Sequence, residues 1–108
     1  MDNPSSMDGP CPPPPVVEGA LVRELPIINR KGLHARASAK FVQCCETFDA
    51  AVQVTRCGET VGGTSIMGLL TLAAAQGTTV SVSALGPQAK EALDAIEALL
   101  GNRFGEDE

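Results

Sequence analysis

The hydrophobic period of this chain switches repeatedly between two residues and about 3.6, in runs too short for a large sheet or a long helix. Residues 21–28 read as a first strand, and Pro26 within it removes a ladder donor, which points to a sheet edge. Asn29-Arg30-Lys31-Gly32 breaks that strand. From 35 to 46, Ser38, Phe41, Val42 and Cys45 recur at helical spacing, while Arg36, Lys40 and Gln43 can stay wet. Residues 51–55 alternate, turn through Arg56-Cys57-Gly58-Glu59 and continue over 60–62, which reads as a hairpin with Cys57 at its tip. Gly63-Thr64-Ser65 then supplies hydroxyls to cap a short helix over 66–74, with Gly77 closing it. Residues 80–84 alternate as a last strand, and Gly86-Pro87 opens a helix whose Ala89, Ala92, Leu93, Ile96, Leu99 and Leu100 make one apolar face.

The predicted order is therefore β-α-β-β-α-β-α, an α+β fold in which helices cover one face of a four-stranded antiparallel sheet. A chain of 108 residues supports one such core. With no Trp, no Tyr and three Phe, that core must be built from Val, Ile, Leu and Ala. The flanks differ in composition. Residues 1–19, with Pro4, Pro10 and the run Pro12 to Pro15, read as a flexible, partly polyproline-II leader. Residues 20–102 form the domain, and 103–108, ending Gly105-Glu106-Asp107-Glu108, read as a short acidic fray.

Charge and composition narrow the partners. A formal net charge of −5 and the shortage of aromatic platforms oppose binding to nucleic acid or an anionic membrane. There is no apolar run of the ~18 residues that span a bilayer and no secretory signal pattern at the start, so a cytoplasmic location is expected. Cys11 lies in the leader, Cys44 and Cys45 are adjacent, and Cys57 stands alone; the four read as free thiols without zinc spacing. No metal or cofactor is expected.

His34, the single histidine, stands at the start of the first predicted helix. A helix start leaves backbone N–H groups unpaired and carries partial positive charge, so a phosphoryl group on the imidazole would accept hydrogen bonds from the amides of Ala35 and Arg36. The Arg36 guanidinium offers a forked set of donors suited to phosphate oxygens. A neutral imidazole is nucleophilic, and its phosphoramidate is labile enough to pass the group onward. No second histidine, base–nucleophile pair or nucleotide loop suggests hydrolytic or redox chemistry.

The run Gly32-Leu33-His34-Ala35-Arg36-Ala37-Ser38-Ala39 closely resembles the active-site motif of the HPr family, the histidine-containing phosphocarriers of the phosphoenolpyruvate-dependent phosphotransferase system. Gly63-Thr64-Ser65-Ile66-Met67-Gly68-Leu69-Leu70 resembles the segment that opens that family's second helix, and the interval from His34 to Ser65 is the family's. The resemblance, covering residues 20–102, implies an open-faced β-sandwich and a monomeric phosphocarrier. His34 would be phosphorylated at Nδ1 by Enzyme I and would donate to a sugar- or nitrogen-type Enzyme IIA, with Arg36 neutralising the phosphate. It further implies regulatory phosphorylation of Ser65 by an HPr kinase/phosphorylase. Ile66, Met67 and Leu70 would contribute to partner docking, because four large residues within five positions exceed one helix face. Ala37 stands where most members carry proline, a variation that resembles proteobacterial members including the nitrogen-related branch. Two other readings compete: a mainly regulatory protein whose phosphorylation state is sensed by metabolic or stress-response partners, and a non-catalytic binding module in which His34 merely caps a helix.

Overall fold

A computed structural model describes residues 11–106. Seven regular elements follow in the expected order: β1 (Leu21–Pro26), α1 (Ala35–Glu46), β2 (Ala51–Arg56), β3 (Glu59–Gly62), α2 (Ile66–Thr71), β4 (Thr79–Leu85) and α3 (Ala89–Gly101). The strands form one antiparallel sheet in the order β1-β4-β2-β3. β1 is an edge strand, so the N–H that Pro26 lacks is not missed by a second neighbour. Alternation sends Leu25, Val52, Val54, Val80, Val82 and Ala84 to one face, where they meet Phe41, Val42 and Cys45 of α1, Leu69 of α2, and Ala92, Leu93, Ile96 and Leu100 of α3. All three helices lie on that face. Val22, Glu24, Gln53, Thr55, Ser81 and Ser83 point to the other.

Four boundaries and contacts depart from the sequence-based expectations. β1 ends at Pro26, two residues early, although Ile27 still donates to the Thr78 carbonyl at 2.8 Å and accepts from Gly77 N–H at 2.8 Å. α2 ends at Thr71 instead of Ala74, and Gly77 does not close it: Ala73 takes φ 52° and reverses the chain. The reason is burial. Leu72 and Ala74 fold inward, and the Ala74 carbonyl accepts from Leu33 N–H at 2.9 Å, while Gly77 (φ 92°) serves the turn into β4. Gly32 (φ 68°) lies so close beneath this crossing that a Cβ there would meet the Ala74 oxygen at 2.5 Å, which is why the loop before His34 needs glycine.

The cysteines are the third correction. Cys11 and Cys57, 46 positions apart, are joined by a disulfide, and only Cys44 and Cys45 are free thiols. Cys57 occupies the hairpin tip with φ 51° followed by Gly58 at φ 87°, the paired positive angles of a two-residue turn. That tip is presented to the leader, a proximity that spacing along the chain does not reveal. Residues 11–19 of the leader, with Ala20, therefore run along the non-helical face of the sheet, with Pro12, Pro13 and Pro14 beside Glu24, Thr55 and Ser81, and Val17 and Ala20 beside Gln53, Ser83 and Leu85. Thr55 and Ser81 are buried there despite facing away from the helices. Residues 1–10 of the expected leader lie outside the described residues.

The fourth correction concerns the expected fray. Residues 103–105 form a 3₁₀ turn, and Phe104 is 1% exposed within the core. Burying a phenyl ring stabilises by roughly 2–3 kcal/mol, enough to hold a short segment in place. Lys40 Nζ, expected to face water, donates to the Phe104 carbonyl at 2.5 Å. Asp107 and Glu108 lie outside the described residues.

Candidate functional site

His34 is the N-cap residue of α1, with extended backbone angles (φ −78°, ψ −176°). Its carbonyl accepts the first helical hydrogen bond, from Ser38 N–H at 2.8 Å, while its ring makes no capping bond. The first-turn amides of Ala35 and Arg36 are thus left for an outside acceptor, as an anion site at a helix start requires. Both residues are exposed. Ala37 and Ser38 turn inward and are fully buried, and Ser38 Oγ donates to the Leu33 carbonyl at 3.2 Å, fixing the residue before the histidine.

The ring, 28% exposed, sits in an open hollow of about 570 Å³ lined by Lys31, His34, Ala35, Arg36, Lys40, Gly105 and Glu106. Three of these seven residues, Lys31, Arg36 and Lys40, carry cationic side chains, so the hollow suits a doubly charged phosphoryl group despite the acidity of the whole chain. Among the described residues, no group of His, Cys, Asp and Glu could hold a metal ion.

Sequence reasoning did not find two of the residues that shape this site. Glu106 Oε2 accepts a hydrogen bond from His34 Nε2, and Glu106 Oε1 accepts from Asn29 Nδ2 at 3.1 Å. The other Asn29 amide hydrogen goes to the Gly32 carbonyl at 2.8 Å. Burial alone would raise the Glu106 carboxyl, but hydrogen bonds from His34 and Asn29, with the charges of His34 and Lys31, outweigh it and hold the group below its ordinary value. In sequence Asn29 read only as a strand breaker and Glu106 only as acidic tail. The available signal was Phe104, a large apolar residue in an otherwise polar stretch.

The second predicted cluster is on α2, which packs against α1 on the same face of the sheet. Ser65 is its N-cap: the hydroxyl accepts from Gly68 N–H at 3.0 Å and stays exposed. Leu69 is fully buried, Leu70 half-buried, Ile66 40% and Met67 71% exposed. One of the four large residues is thus core, and two project into solvent beside the helix that carries His34. The two free thiols take no part in this site. Burial raises the Cys44 thiol, and burial aided by the nearby Cys44 and Glu46 pushes Cys45 up to about 12.

Together these features define a class: small α+β proteins with helices on one face of an antiparallel sheet and an imidazole at a helix start. The chain belongs to the HPr family, since the family model described as "PTS HPr component phosphorylation site" matches residues 21–102. It is 50% identical over 88 residues to the phosphocarrier protein HPr of Cupriavidus necator, covering 82% of this chain and 99% of that one. Its identity to the phosphocarrier protein HPr of Neisseria meningitidis serogroup A is 46% over 88 residues, again 82% and 99% of the two chains. Among solved structures, HPr from Thermoanaerobacter tengcongensis superposes with a TM-score of 0.78 at 36% identity, covering 82% of this chain and 99% of that one.

Proposed function

We propose that His34 accepts a phosphoryl group at Nδ1 from phosphorylated Enzyme I and passes it to an Enzyme IIA, with Arg36 and the amides of Ala35 and Arg36 binding the phosphate oxygens. By its family the chain is a phosphocarrier of the phosphotransferase system, a stoichiometric carrier and not an enzyme. The observation that carries the residue assignment is the position of His34: an N-cap ring that caps nothing, before two exposed amides, in a hollow with Lys31, Arg36 and Lys40. The transfer balances without a cofactor. The donor's P–N bond breaks, its nitrogen keeps the electron pair, and Nδ1 supplies the pair for the new bond. The cations are in place before transfer, so little reorganisation is needed as charge moves.

Docking in this reading uses Ile66, Met67 and Leu70. Two exposed apolar side chains and one half-buried suit a transient partner, and the unbranched Met adapts to more than one surface. Ser65, exposed at the edge of that patch, is where phosphorylation by an HPr kinase/phosphorylase would set a dianion against an acidic partner and slow the relay. The carrier acts as a monomer in the cytoplasm.

The test is transfer of radiolabel from phosphoenolpyruvate, through purified Enzyme I, to the wild type and to His34→Ala. Acid-labile, alkali-stable label on the wild type alone is the expected result. An unlabelled wild type beside an active Enzyme I control would leave the binding-module reading, in which His34→Ala keeps full partner affinity.

A further inference from the structure

Glu106 lies four residues beyond the segment that the family model matches, yet it touches the proposed phosphoryl acceptor. Three observations make this contact more than a surface ion pair. The segment is anchored on both sides of its turn, by Phe104 in the core and by Lys40 on the Phe104 carbonyl, so the carboxylate is held and not merely near. Asn29 is 0% exposed and spends both amide hydrogens on the site, one on Gly32 in the loop before His34 and one on Glu106. Its Oδ1 is buried with no hydrogen-bond partner among the described residues. Turning the amide over would not help, because Oδ1 would then face two acceptors. An unpaired buried acceptor is destabilising, and here the arrangement that leaves it unpaired is the one that aims Glu106 at the ring.

We propose that Glu106, aligned by Asn29, is the positioning carboxylate of the phosphoryl acceptor, holding His34 as the tautomer protonated on Nε2 so that Nδ1 presents its lone pair. The inference rests on the reading of His34 as that acceptor. A carboxylate can only accept, so its contact with Nε2 requires the proton there; the other ring nitrogen is then necessarily bare in the neutral ring. Nδ1 takes no part in the Glu106 contact and is left to attack. As Nδ1 bonds to phosphorus the ring takes on positive charge, and the Nε2 proton stays where it is, with the Glu106 carboxylate opposite it. The logic is that of a carboxylate orienting an imidazole in a catalytic triad, here serving a nucleophile instead of a base.

The experiment compares wild type with Glu106→Ala and Glu106→Gln by ¹⁵N-resolved spectra of the His34 ring and by the rate of label uptake from phosphorylated Enzyme I. The wild type is expected to show Nε2 protonated, with that proton protected from solvent exchange. Glu106→Ala loses the protection. Glu106→Gln admits the other tautomer, since its amide can donate to Nε2. Both variants should take up label about tenfold more slowly, the worth of one charge-assisted hydrogen bond. A backbone spectrum with unchanged Phe104 shifts shows that the segment stays docked, and a purely structural tail would leave the ring tautomer unmoved. A wild-type proton on Nδ1, or uptake at the wild-type rate by both variants, overturns the proposal while leaving the phosphocarrier reading intact. Absence of label on the wild type itself would remove both.

Discussion

Breaking the Cys11–Cys57 disulfide should cost this protein far less stability than its span implies, and the size of the loss reports whether the leader is part of the core. Closing a loop of 46 positions in the unfolded chain removes entropy equivalent to ~4 kcal/mol. That full amount is recovered only if the folded protein without the bond keeps its leader as ordered as before. The leader gives little reason to stay. None of residues 11–20 is fully buried, and the one backbone hydrogen bond placed within it joins Ala20 N–H to the Val17 carbonyl at 3.1 Å. If the leader swings free, the bond also constrains a folded-state loop of about ten residues between Cys11 and β1, and the two closure terms largely cancel. What remains is (3/2)RT times the logarithm of the loop ratio, about 1.3 kcal/mol. The assay is urea unfolding of the oxidised protein against the Cys11→Ser/Cys57→Ser variant, which leaves Cys44 and Cys45 untouched. We expect a loss near 1.3 kcal/mol, a fall in Tm of roughly 5–10 °C, and new solvent exposure around Thr55 and Ser81. A loss of 3 kcal/mol or more would refute the reasoning and make the leader an integral layer over the sheet.

Three further outcomes follow from the same geometry. Phe104→Ala should destabilise by about 3–5 kcal/mol through lost burial and the cavity left behind, and should also release Glu106 from His34; denaturant unfolding and the His34 ring spectrum read the two effects separately. Glu106 is held below its ordinary value in the folded state, so its contribution is present above the unfolded-state pKa of about 4.3 and is lost as pH falls through the lower folded value. The stability gap between wild type and Glu106→Gln should therefore narrow as the pH falls below about 4.3, and a gap that widens there would contradict the assignment. Ser65→Ala should cost about 1 kcal/mol through loss of the bond to Gly68 N–H, seen as a lower urea midpoint with unchanged slope; an unchanged midpoint would mean water replaces the cap.

The order of elements and the place of His34 at a helix start were legible in the sequence because both are local. Period-two runs and helical stripes need only a few neighbouring residues, and the cap at Ser65 is a property of a single turn. The motif around His34 and the segment at Ser65 likewise carry their meaning within eight residues each. Where local pattern misjudged an end, as in α2, the chain leaves the helix at Ala73 and the core draws Ala74 inward beside the already buried Leu72. The pairings that spacing could not supply are the distant ones. His34 and Glu106 are 72 positions apart, Asn29 and Glu106 are 77, and Cys11 and Cys57 are 46. No periodicity links such residues, because each pair meets only after the sheet has closed and the helices have packed. The sequence by itself determined which segments become strands and helices and which imidazole stands at a helix start. The tertiary structure alone decided which carboxylate faces that imidazole and which thiol finds its partner, since a core must first exist to seat Phe104 and to carry the hairpin tip to the leader.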